Sequence, residues 1–194
     1  DLSLINSRLF GLYGLCISVS VSLSSFLAYL MLFLVLLQGD LKDKWFEIKS
    51  NLFIYAVLAF VLLHFLGLAW TEDFEWAQTV LKREWKLVFI VLFMMIVKKE
   101  HFKYYIKMFI IGMSISEFVS YLIWFQIIPP FMYATVENPT PFMKHLSYNI
   151  YLAISIYFAL WIILFDKSIN YFQRSIMAIF LLTMTINMFI TGGR

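Results

Sequence analysis

Long uncharged apolar runs, one after another and separated by short polar punctuation, leave this chain few folds to adopt. A helix needs roughly 20 such residues to cross the hydrocarbon core, and only helices or closed barrels satisfy their backbone groups there. Candidate spans are residues 52–70, 104–127, 146–165 and 176–190. A fifth, residues 76–97, is apolar only in its second half. The first run, residues 9–37, would be about 44 Å long as one helix against a core of about 30 Å. It is either one tilted helix or a hairpin of two short ones. The serine-rich stretch from Ser18 to Ser25 is the expected turn, because serine competes for backbone hydrogen bonds and weakens a helix.

Composition excludes a soluble domain: 62% hydrophobic and 14% charged residues leave too little polar surface to cover a globule of 194 residues. The expected fold is therefore all-α, a polytopic integral membrane protein with about seven transmembrane segments in a single transmembrane domain over residues 1–194. Arg8 before an apolar run imitates a signal peptide, but no small-x-small cleavage site follows. The chain has no initial Met and stops inside an apparent motif, so both ends are expected to be trimmed and the 194 residues to be part of a longer protein. Lone Cys16 has no partner for a disulfide and reads as a small buried hydrophobe. The net charge of +3 is scattered and does not indicate nucleic acid.

Lys and Arg gather in cytoplasmic loops. With a hairpin at the start, alternation places ten basic residues inside, in the groups beginning at Arg8, Lys42, Lys98 and Lys167, and five outside. The N-terminus is then cytoplasmic and Arg194 lies at the outer face. An irregular, proline-rich outer loop is expected over residues 128–144, which hold Pro129-Pro130 and Asn138-Pro139-Thr140-Pro141.

Polar groups at membrane depth need a partner or a water-filled cavity. Gln78, Lys82 and Lys86 recur every four residues, with Arg83 beside them. They read either as a snorkelling interfacial face or as a basic wall for an anionic lipid headgroup. Glu117 lies near the middle of its span with Ser114, Ser120 and Tyr121 on neighbouring turns. Lys86 is at comparable depth, so a Lys86–Glu117 pair is one expectation and a structural bond between helices the other. Thr183, Asn187 and Thr191 make a four-residue stripe, and Arg194 follows Gly192-Gly193. Such stripes often glue helices together, but this one leads to an arginine. Of the histidines, His64 reads as packing, His101 as solvated, and His145 opens a span beside Lys144. No metal-ligand spacing and no glycine-rich phosphate loop occurs.

The order of the serine-rich hairpin, Leu66-Gly67-Leu68-Ala69-Trp70-Thr71-Glu72-Asp73, Leu81-Lys82-Arg83-Glu84-Trp85-Lys86, His145-Leu146-Ser147-Tyr148 and Thr191-Gly192-Gly193-Arg194 resembles the N-terminal half of the bacterial O-antigen ligase family. The resemblance implies an inner-membrane glycosyltransferase facing the periplasm. Such a protein moves a glycan from undecaprenyl diphosphate to the lipid A core in lipopolysaccharide biosynthesis, without nucleotide sugar, cofactor or metal. It implies a catalytic role for Arg194 on the donor diphosphate. Lys82, Arg83, Lys86, Glu117, His145, Asn187 and Thr191 are the expected substrate-binding residues. The family's other important histidine lies in a downstream periplasmic loop, so this fragment is expected to be inactive alone. An O-antigen polymerase or an O-linked protein glycosylation ligase would use the same donor. A transporter or channel subunit is the rival from another class, with Lys82, Lys86 and Glu117 lining its path.

Overall fold

A computed structural model describes residues 2–192, and these form nine α-helices and two 3₁₀ turns with no strand. Four helices are long and apolar enough to cross a membrane, and a fifth span is reached if one bent pair counts as one. Phe26, Phe33, Phe118, Leu164 and Phe189 are each more than half exposed. Surface of that kind belongs in lipid, because in water it would favour association.

The serine-rich stretch does break the first run. Helix α1 covers Leu2–Cys16 and α2 covers Val21–Gln38, and Asn6 Nδ2 donates to Met31 O at 3.5 Å, so the chain has doubled back. The break is shorter than the serine content implies. Ser24 and Ser25 donate their hydroxyls to Val21 O at 2.9 Å, which satisfies them inside the helix.

Two expected spans change shape. Residues 52–70 contain α4, Leu52–Gly67, whose 16 residues rise about 24 Å, short of a full crossing. It reaches span length only together with α3, Leu41–Ile48, from which it is bent by 105°. Asn51 makes the corner by capping α4, accepting from Phe53 N at 3.0 Å. Residues 76–97 divide into α5, Phe74–Glu84, a 3₁₀ turn at Trp85–Leu87, and α6, Val88–Ile96. Asp73 caps α5 through Trp76 N at 2.9 Å. The charges of Lys82, Arg83, Glu84 and Lys86 put this stretch outside the helices that qualify by length and composition alone. Of the seven expected segments, four among the described residues qualify as spans by length and composition, or five with the bent pair.

The remaining spans are α7, Phe102–Trp124, α8, His145–Phe165, and α9, Tyr171–Ile190. Gln126 ends α7 in the left-handed region (φ 58°), with Ile127 N on Leu122 O and Gln126 N on Ile123 O, the paired bonds of a Schellman cap. Asn170 and Gln173 form a reciprocal capping box that starts α9.

The chain gathers into two compact units. One contains Asp1–Phe10 and Ala28–Lys99, and its core joins α3, α4 and α6 through Ile48, Ile54 and Val91. The other contains Gly11–Leu27 and Glu100–Arg194, with a core of Met113, Met143, Tyr148, Leu152 and Met184. Within the second unit, α1 crosses α7 at Gly112. A Cβ there would collide with Leu15 O and Ser18 Oγ, so only glycine permits the approach.

Candidate functional site

The second unit holds a buried polar lattice at the end of the bundle where α7 finishes, α8 begins and α9 finishes. It has three levels, set by the four-residue stripe on α9. At the middle level Asn187, fully buried, accepts from Tyr148 Oη at 3.0 Å and donates through Nδ2 to Ser120 Oγ at 3.2 Å. One turn toward the helix end, Thr191 Oγ1 donates to Asn149 Oδ1 at 2.7 Å, and Asn149 Nδ2 returns a bond to Thr191 O at 3.4 Å. One turn deeper, Tyr121 Oη donates to Thr183 O at 2.6 Å, and Thr183 Oγ1 donates to Phe180 O at 3.0 Å.

Each level spends polar groups against polar groups, as burial at membrane depth requires. The exceptions are informative. Glu117 is 3% exposed, yet its Oε1 has no hydrogen-bond partner among the described residues, and the same holds for buried Ser116 Oγ.

The proline-rich connection closes over this end. Residues 125–144 contain no helix, as their prolines dictate, and are pinned by Asn138 N donating to Thr135 Oγ1 at 3.0 Å. Met143 packs into the core beside Tyr148. After α9, Gly192 takes φ 72°, and a Cβ there would sit 3.2 Å from Asn138 Oδ1. The left-handed turn is easily held by glycine, and the loop side chain lies against it.

The expected site residues therefore divide. Asn187 and Thr191 come together in the lattice, and Glu117 is buried on α7 one turn before Ser120 and Tyr121. His145, the first residue of α8, belongs to the same unit but is exposed, while Tyr148 and Asn149, three and four residues on, face inward. Lys82, Arg83 and Lys86 are exposed residues of the first unit, and Arg83 Nε meets Glu84 Oε1 at 3.0 Å. The expected Lys86–Glu117 pair thus has its members in different units. Arg194, the expected catalytic residue, lies outside the described residues.

No family model, curated protein or solved structure matches the chain.

Proposed function

We propose that this chain is the N-terminal half of a membrane glycosyltransferase of the O-antigen ligase type. In this reading it accepts a glycan carried on undecaprenyl diphosphate and passes it to the lipid A core at the periplasmic face of the bacterial inner membrane. The observation that carries the reading is the buried lattice of Ser120, Tyr148, Asn149, Asn187 and Thr191, which fixes the helix end immediately before the Gly192-Gly193-Arg194 motif. A catalytic cation gains from such support, because rate depends on donors being fixed where charge develops. As the sugar–diphosphate bond breaks, negative charge grows on the leaving diphosphate, and a guanidinium fork holds two of its oxygens.

Lys82, Arg83 and Lys86, exposed on α5 and the turn after it, are further cations available to an anionic headgroup. The basic bias sets the orientation: N-terminus inside, with the short helices α1 and α4 and the α5–α6 pair also crossing, to give seven segments.

Deleting the gene in its bacterial host tests the reading. Long-chain lipopolysaccharide should vanish from gels while polymer on undecaprenyl diphosphate accumulates. Unchanged lipopolysaccharide would refute it, and short polymers in place of long ones would point to a polymerase. The buried Glu117 oxygen without a partner favours a second reading, a transporter subunit that moves a proton or cation past α7. Solute uptake lost in Glu117→Gln, with glycan attachment intact, would select it.

A further inference from the structure

The opposite end of the same bundle carries a groove that the lattice does not use. It has a volume of about 500 Å³, within the roughly 300–1,000 Å³ usual for ligand sites, and lies among α7, α8 and α9. Its chemistry is graded. On α7 the lining runs from Lys103 and Lys107 through Ile110 to Ser114, and on α9 from Gln173 to Phe180. From Lys103 to Ile110 and from Gln173 to Phe180 the lining passes from polar to apolar over seven residues, roughly 10 Å of helix rise, before Ser114 ends the α7 side. Trp161 of α8 lines the groove between them.

The charges at the mouth are unequal. Lys103 Nζ is spent on Asp166 Oδ1 at 2.8 Å and touches Ser168 Oγ at 3.4 Å, while Asp166 is further occupied by Ser168 N and Oγ. Lys107 is exposed and forms no ion pair among the described residues. The mouth therefore keeps one uncompensated cation above an apolar slot.

We propose that this groove binds an anionic phospholipid, one acyl chain lying along Ile110 and Trp161 and the phosphate meeting Lys107. Charge complementarity selects the headgroup: a zwitterionic lipid would fill the slot equally well, but its own cation already balances its phosphate, so the charge of Lys107 would stay uncompensated. The site is independent of the transferase reading, since it sits at the other end of the bundle from the motif.

The test uses the full chain in phosphatidylcholine vesicles containing a minor fraction of phosphatidylglycerol, with one lipid or the other brominated on an acyl chain. Quenching of Trp161 is read as the difference between wild type and Trp161→Phe. Brominated phosphatidylglycerol should quench it with about a fivefold preference over brominated phosphatidylcholine, the size expected for one lysine near a headgroup. Lys107→Gln should abolish the preference, and Lys107→Arg should keep it. Equal quenching by the two lipids, no quenching of Trp161, or a preference that survives in Lys107→Gln would overturn the proposal. Inorganic phosphate, matched with chloride for ionic strength, should not displace the lipid; selective displacement by phosphate would overturn it too.

Discussion

The two ends of the α7–α8–α9 bundle are both tied by polar bonds, yet they are tied in different media. At one end Asn187, Thr191 and Tyr148 are sealed from solvent and lipid, with partners 39 to 67 residues away in sequence. At the other, the exposed Lys103 reaches the largely covered Asp166 at the rim of an open mouth. A bond's worth depends on what competes for its groups when it breaks. Nothing replaces a lost partner in the sealed lattice, whereas water replaces it at the mouth. The sealed end therefore fixes geometry, and the open end stays available to a ligand.

Removing the hub of the lattice should have the largest effect. Asn187→Leu leaves the Tyr148 and Ser120 hydroxyls buried without their partner and should cost about 1–3 kcal/mol, read as unfolding of the chain in detergent. A cost near zero would mean that the lattice is not sealed. Tyr148→Phe removes one donor and leaves the other bonds of Asn187 in place, so about 1 kcal/mol is expected. A double-mutant cycle on the two positions should give about 0.6 kcal/mol and at most about 1.7, the range found between membrane helices.

The smallest effect belongs to the mouth, and it is a pH effect. Hydrogen bonding from Lys103, then from Ser168, lowers the Asp166 carboxyl from its ordinary 3.8 to about 2. A carboxyl held lower when folded contributes stability above its unfolded value and loses it as pH falls through the folded one. Wild type should therefore weaken between about pH 4 and pH 2 relative to Asp166→Asn, and the two should run parallel above pH 5. Melting curves that diverge at neutral pH instead would place the pair in a less exposed setting.

Much of this was legible where one helix carries the whole pattern. The four-residue stripe on α9 and the basic face of α5 follow from helical periodicity alone, and the expected loop at residues 128–144 follows from its prolines. Span lengths were less legible, because hydropathy is blind to where the backbone turns. The Asn51 cap bends α3 against α4, and a 3₁₀ turn interrupts residues 74–96 without any proline to announce it. Tyr148 and Asn149 were hidden for a different reason. An inward-facing residue at the start of α8 is defined by helices far along the chain, and His145, the residue that drew attention there, points outward.

The most direct measurement is complementation of a gene deletion with variants of the motif that the lattice supports. Wild type should restore long-chain lipopolysaccharide. Arg194→Lys should fail and leave the undecaprenyl-linked polymer unattached, because a point charge replaces a two-pronged donor. Full restoration of attachment by Arg194→Lys would contradict the diphosphate role and, with it, the purpose assigned to the lattice.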